Sequence, residues 1–205
     1  MKSKPQLLLS LLAIPLFGFA LHASATPITN IVTNGGFETG NFSGWTQGGN
    51  TSFTGVDSFS AHSGNFGAFM GPGGKGGAGS LTQNLTTTVG ASYELSFFMY
   101  GENGSESFDG SFGSVQFQVF WNGVMIFDTT SPPASYQQFS FINLAATGTS
   151  TELKFVFEND PSFFHLDDVV AGITATTVPE AMSTLWLALP ALAMLGFVQL
   201  RRRIA

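Results

Sequence analysis

Between its two ends the chain shows no sustained 3.6-residue apolar period. Apolar and polar positions instead alternate in short runs separated by Gly- and Asn-rich turns, the pattern of half-buried β-strands. The longest run is Tyr93–Tyr100, with Tyr93, Leu95, Phe97 and Met99 on one face and Glu94, Ser96, Phe98 and Tyr100 on the other. Val115, Phe117, Val119 and Trp121 alternate in the same way with Gln116, Gln118 and Phe120. Leu81, Gln83 and Leu85 form one stripe, and Leu153, Phe155 and Phe157 another. Asn122-Gly123 between two such runs predicts a type I′ hairpin, because both residues accept positive φ. Further strands are expected at Ile28–Thr33, within His62–Met70 (where Phe66 and Ala68 alternate with Gly67 and Phe69), and at Val124–Asp128, Tyr136–Asn143 and Phe163–Ile173. Gly35 and Gly36 should provide the positive φ for a sharp turn ahead of a buried Phe37. About nine or ten strands and no helix between the ends predict an all-β fold of two packed antiparallel sheets.

The ends break this pattern with continuous apolar runs. Lys2 and Lys4 precede an apolar stretch from Leu7 to Leu21, and Ala23-Ser24-Ala25 reads as an A-x-A cleavage site. Residues 1–25 are therefore expected to be a signal peptide. At the other end, residues 178–205 comprise Pro179-Glu180-Ala181, an apolar run at about 185–200, and Arg201, Arg202 and Arg203. That run is long enough for a short transmembrane helix, and the arginines should hold its end on the cytoplasmic side. What remains, residues 26–177, is about 150 residues, one domain with room for a core.

Charge narrows the choice of partner. The formal net charge is −6. Both end segments carry most of the basic residues, so residues 26–177 hold only Lys75 and Lys154 against twelve acidic side chains, a net of −10. Phosphate neutralisation needs clustered Lys and Arg, so nucleic acid is excluded as a partner. A divalent cation or a neutral polymer remains possible in charge terms. There is no cysteine, so packing must supply the stability that disulfides give many exported domains. The loop Gly71–Gly79 (GPGGKGGAG) lacks the Walker pattern and precedes no helix, which removes nucleotide binding. The Asn-x-Ser/Thr triplets at Asn41, Asn84 and Asn103 read as bare asparagines.

The C-terminal order of Pro179-Glu180, one apolar helix and a terminal arginine cluster resembles the PEP-CTERM sorting signal. The resemblance implies transit through the inner membrane of a Gram-negative-type bacterium and processing by an exosortase-type protease. Delivery to the cell surface or an exopolysaccharide matrix would follow. Ala181 stands where the family's second Pro does, and Pro190 interrupts the helix. An uncut membrane anchor is the competing reading.

A second resemblance covers nearly all of residues 26–177. NGGFE at Asn34–Glu38, HSGNFGAF at His62–Phe69, SLTQNL at Ser80–Leu85, GASYELSFFM at Gly90–Met99 and FHLDDV at Phe164–Val169 occur in that order. Together they resemble the jelly-roll carbohydrate-binding modules of the galactose-binding-like fold. The resemblance implies a structural Ca²⁺ near the two ends of the domain. Ca²⁺ takes six to eight hard oxygen ligands. Glu38 and Asp168 are the side-chain candidates, with Asp167 as substitute and the His62–Asn65 loop as carbonyl donor. In regular strand geometry Asp167 and Asp168 point to opposite faces, so one alone should reach the ion. The competing reading makes Asp167 a solvated acid and Asp168 a cap for backbone amides.

Catalytic chemistry is sparse. Glu94, Glu102, Glu106 and Asp109 offer carboxylates for a glycosidase pair, but three of the four fall in one loop. His62 and His165 are isolated in sequence, and no H-E-x-x-H, G-x-S-x-G or cysteine nucleophile is present. The chain is read as a non-enzyme. For polysaccharide, Phe98, Tyr100, Gln116, Gln118 and Phe120 would make a ring-and-amide face if their strands are neighbours. The alternative is that those rings pack beneath loops. The expectation is an exported, non-catalytic surface or matrix protein. A glycan-binding module is the alternative, and a polysaccharide-active enzyme the third choice.

Overall fold

The computed structural model describes residues 28–71, 77–102 and 115–173. The segments expected to be a signal peptide (1–25) and a sorting tail (178–205), together with Lys75, Glu106 and Asp109, lie outside the described residues. Ten strands form in chain order: β1 Thr46–Gly49, β2 Phe53–Asp57, β3 Gly67–Gly71, β4 Gly79–Thr86 and β5 Ser92–Gly101. They continue as β6 Val115–Trp121, β7 Val124–Thr129, β8 Gln137–Ala145, β9 Ser150–Asn159 and β10 Phe164–Ile173. One sheet has the order β1-β4-β9-β6-β7 and the other β2-β3-β10-β5-β8, with every pairing antiparallel. The described residues are thus an all-β, two-sheet sandwich and contain no helix.

Period-two alternation converts directly into the core. Leu95, Phe97 and Met99 of β5 face Phe117 and Val119 of β6, Leu153, Phe155 and Phe157 of β9, and Leu81 and Leu85 of β4, all of them buried. Phe97 lies at the centre, its ring edge-on to Phe155 at 5.3 Å and tilted against Phe117 at 6.2 Å. Full burial of each such ring is worth about 1.5–3 kcal/mol. Both buried tryptophans place their one donor: Trp45 Nε1 donates to the Asn34 carbonyl, and Trp121 Nε1 to the Ala145 carbonyl. The hairpin forms as expected, with Asn122 at φ 51° and Gly123 at φ 76°.

Three local features differ from the sequence expectation. Ile28–Thr33 forms no strand. Its polar backbone is satisfied instead by side chains, the buried Gln83 amide bonding both Thr33 N–H and Thr33 C=O, and Asn30 Oδ1 accepting from Val32 and Ala171. The positive φ of the NGGFE turn falls on Asn34 (51°) and Phe37 (55°), not on the glycines. Gly35 is needed for another reason: any Cβ there would collide with the Val169 carbonyl oxygen, and its own C=O accepts from Val169 N at 3.0 Å. Finally, β1 and β2 are short strands, of 4 and 5 residues, that apolar alternation alone did not mark.

Candidate functional site

The Asp167-Asp168 pair is placed by a β-bulge. The β10–β5 register breaks between Asp167 and Val170, and Asp168 has φ 52°. The bulge overturns the expectation that the two acids face opposite ways. Both turn towards the loop between β2 and β3. Asp167 Oδ2 accepts from the backbone N–H of His62 (2.8 Å) and Ser63 (3.1 Å), and its Oδ1 from Asp168 N–H at 2.7 Å. Asp168 takes the His62 ring nitrogen Nδ1 at 2.7 Å and the Ser63 hydroxyl at 2.8 Å. Glu38 holds the far end of the same loop, accepting from Asn65 N–H, Phe66 N–H and the Asn65 side-chain amide. Asp167 is therefore buried, not solvated, and it is the amide cap; Asp168 is the side-chain partner of His62.

Electrostatics follow from those contacts. Backbone donation from Asn65 and Phe66 holds the Glu38 carboxyl below its usual value. Burial pushes Asp167 up to about 6, against the opposing pull of its three amide donors.

The three acids meet around Gly36, where a Cβ would lie 3.7 Å from an oxygen of Asp167, 3.7 Å from one of Asp168 and 3.8 Å from Glu38 Cγ. These are hard oxygen donors of the type Ca²⁺ takes. Yet every one of the six carboxylate oxygens accepts an N–H or O–H from residues 62–66 or 168. The loop turns amides towards the acids where a calcium site would need carbonyls. No group of three metal-ligating side chains converges on one point among the described residues. As arranged, Glu38, Asp167 and Asp168 fit an amide clamp better than a calcium cage.

The clamped loop lies across the outer face of the β2-β3-β10-β5-β8 sheet. His62 stacks on Phe98 with ring centroids 3.7 Å apart and meets Tyr136 edge-on at 5.0 Å. The Tyr136 hydroxyl donates to the Ser60 carbonyl, and the Ser60 hydroxyl lies 3.1 Å from His165 Nδ1. Beside this wall, Tyr100 stands between His165, stacked at 4.2 Å, and Tyr136, edge-on at 4.8 Å. Glu102 Oε1 lies 3.2 Å from His165 Nε2. Neither histidine is isolated once the chain folds. Burial lowers the His165 pKa, with the Glu102 contact opposing the shift, and burial raises both Tyr100 and Tyr136.

Ser60, His165 and Glu102 thus form a hydroxyl–imidazole–carboxylate chain. It is not a nucleophile site: Ser60 is 1% exposed, so no substrate carbonyl can approach its oxygen.

The five-residue ring-and-amide set does not form one surface. Phe98 and Tyr100 lie on β5 and face outward from one sheet; Gln116, Gln118 and Phe120 lie on β6 and face outward from the other. The alternation within each strand is as expected. The connection between β5 and β6 carries the chain from one sheet to the other, so strands adjacent in sequence present opposite sides of the sandwich. On the β6 side Gln116 bonds Asp128 at 3.3 Å, and Gln118 lies 3.6 Å from Met125 S.

The residues that build the face but were missed from sequence are Ser60, Tyr136 and the ring role of His165. Each belongs to a different element, and only the pairing of β3, β10 and β5 brings them together. Cross-strand register aligns His165 with Phe69 on one side and Tyr100 on the other.

Comparison with known proteins places this architecture. The family model described as Carbohydrate binding domain (CBM_4_9) matches residues 29–162, and the chain belongs to that family. Among solved structures, TmCBM61 in complex with β-1,4-galactotriose has TM-score 0.53 at 18% identity, over 71% of this chain and 99% of that one. The CBM22-1 xylan-binding domain of Paenibacillus barcinonensis Xyn10C has TM-score 0.53 at 16% identity, over 75% of this chain and 100% of that one. The enzymatically active domain of bacteriophage CBA120 tailspike protein 4 has TM-score 0.50 at 16% identity, over 70% of this chain but 21% of that one. These likenesses establish the jelly-roll fold. No curated protein sequence matches the chain.

Proposed function

We propose that this chain is a non-catalytic glycan-binding module whose ligand lies on the outer face of the β2-β3-β10-β5-β8 sheet. The observation that carries this reading is the walled face itself. Tyr100, Tyr136, His165 and Phe69 line it, and the Ser58–Phe66 loop is clamped along one side by Asp167, Asp168 and Glu38. Family membership supports a carbohydrate as the occupant. The matrix role that sequence alone favoured becomes the setting of this activity and ceases to be its alternative. Cleavage after Ala25 and a sorting tail at Pro179–Arg203 would place the module at the cell surface or in the matrix, where polysaccharide is available. Exosortase and the inner membrane are partners only of that tail.

The face is uncharged or acidic. Glu102, Asp57 and the clamp acids surround it, and the one lysine among the described residues, Lys154, lies on β9 of the opposite sheet. The ligand class is therefore a neutral polysaccharide, since an acidic polymer would meet like charge. Affinity electrophoresis through gels containing neutral or uronic-acid polysaccharides tests this. Retardation in at least one neutral gel, with none in the acidic gels, is the expected result. Free migration in every neutral gel would overturn it.

A further inference from the structure

A sugar ring stacks on an aromatic face that is free to receive it. On this site the rings nearest the centre are not free. Phe98 is covered by His62 at 3.7 Å, Tyr100 by His165 at 4.2 Å on one side and by the edge of Tyr136 on the other, and Phe69 meets Phe163 edge-on at 5.8 Å. They make the floor and wall of the face, and their packing with one another uses the surfaces a pyranose would need.

Two rings at the same site are free. Phe59 is 92% exposed, and Phe53 is 57% exposed. Phe53 opens β2, and Phe59 stands two residues past its end. In β2, Gly55 faces the same side as Phe69, whose ring lies over it, so Phe53, two residues earlier, also faces outward on this sheet. Val56, on the alternate phase, packs against the core.

Phe59 is exposed but not loose. Asp57 Oδ1 accepts from the backbone N–H of Phe59 (3.1 Å) and of Ser60 (2.9 Å), the geometry of an Asx-type turn. The next residue, Ser60, is pinned to the face through Tyr136 and His165. The Phe59 backbone is thus fixed at both sides while its ring projects into solvent. The backbone beneath the ring is already ordered, so binding costs only the ring's own side-chain freedom, which suits an exposed ring to anchor a ligand.

We infer that Phe59 and Phe53, rather than Phe98 and Tyr100, are the rings on which the polysaccharide stacks. Both lie on the β2 side of the face, Phe53 at the start of the strand and Phe59 just past its end, separated by about 13 Å of strand from residue 53 to 57 plus the turn. The inference rests on the glycan-binding reading of the same face and assigns the stacking residues within it.

The test is affinity electrophoresis and calorimetry against β-1,4-galactan and xylan with four proteins: the natural sequence, Phe59→Ala, Phe59→Trp and Val124→Ser. Val124 is 65% exposed on the β6–β7 hairpin and serves as the control for loss of an exposed apolar group. Expected results are at least tenfold weaker binding for Phe59→Ala, retained or tighter binding for Phe59→Trp, and no change for Val124→Ser. Melting temperatures should be the same for all four, since the Phe59 ring packs against almost nothing. If the natural protein binds and Phe59→Ala binds equally well, Phe59 is not the anchor and the glycan reading survives without it. If the natural protein binds neither polymer, nor any other neutral polysaccharide, both inferences fall together.

Discussion

The two outer faces of the sandwich start from the same sequence pattern and end in different chemistry. On the β1-β4-β9-β6-β7 sheet, Ser80, Thr82, Asn84, Gln116, Gln118 and Lys154 alternate with the core and form the solvated side usual for a β-sandwich. On the β2-β3-β10-β5-β8 sheet the outward positions include Phe53, Phe69, Phe98, Tyr100, His165 and Asp167 alongside Glu94 and Ser96. A loop of nine residues between β2 and β3 crosses that side and is held by three carboxylates from the two ends of the domain. Alternation decides which residues point away from the core. It does not decide whether water or another part of the chain meets them there.

Breaking what the two faces share should have the largest effect. Phe97→Ala removes the central ring beneath both sheets and is expected to destabilise by about 3–5 kcal/mol, read by chemical denaturation. Next comes the clamp. Asp167→Ala leaves the amides of His62, Ser63 and Asp168 without their acceptor and should cost about 2–3 kcal/mol, with glycan binding weakened as the wall loosens. On the opposite face, Gln118→Ala should change stability by no more than about 0.5 kcal/mol and binding not at all. Equal sensitivity of Asp167→Ala and Gln118→Ala would erase the distinction between the faces.

Two finer measurements sharpen it. His165 has a pKa lowered by burial, so the folded protein prefers the neutral ring. That preference is fully present above the unfolded value near 6.5 and is lost as pH falls below it, where the unfolded chain binds the extra proton. Asp167 acts in the opposite sense: its carboxyl is raised from 3.8 to about 6, so stability is lost as pH rises through that interval. His165→Gln should therefore flatten the acid side of a melting-temperature profile. Calcium gives the smallest expected change. With all six clamp oxygens already accepting hydrogen bonds, millimolar CaCl₂ or excess EDTA should leave the melting temperature unchanged within about 1–2 °C, under the shift that 1 kcal/mol produces in a domain this size. A rise of several degrees with CaCl₂ would show that the folded domain binds the ion after all.

Much of the fold was legible because its signals are local. The Asn122-Gly123 turn, the Tyr93–Tyr100 alternation and the buried stripe of Leu153, Phe155 and Phe157 need no knowledge of partners. The acids of the clamp were legible as a group through resemblance, but their contacts were not. The bulge at Asp167–Asp168 reverses the facing that regular strand geometry dictates, and nothing in the local sequence marks it. The division of Phe98 and Tyr100 from Gln116, Gln118 and Phe120 is a matter of sheet membership. A loop of a dozen residues can return a strand to its own sheet or send it to the other, and alternation is the same either way. Ser60 and Tyr136 lie 76 positions apart, joined only in three dimensions.

β10 does not lie at an edge. It sits between β3 and β5 in the middle of its sheet, and β9 sits likewise between β4 and β6. These are the last two strands in chain order, so during synthesis β2-β3 and β5-β8 can form only as separate ribbons with open edges. The first sheet becomes continuous only with β9, and the second only with β10, when the loop finds Asp167 and Asp168 more than 100 positions away. Such distant pairing makes for slow assembly. A chain that has not finished folding therefore offers no organised binding face, and the face reports that the whole domain has closed.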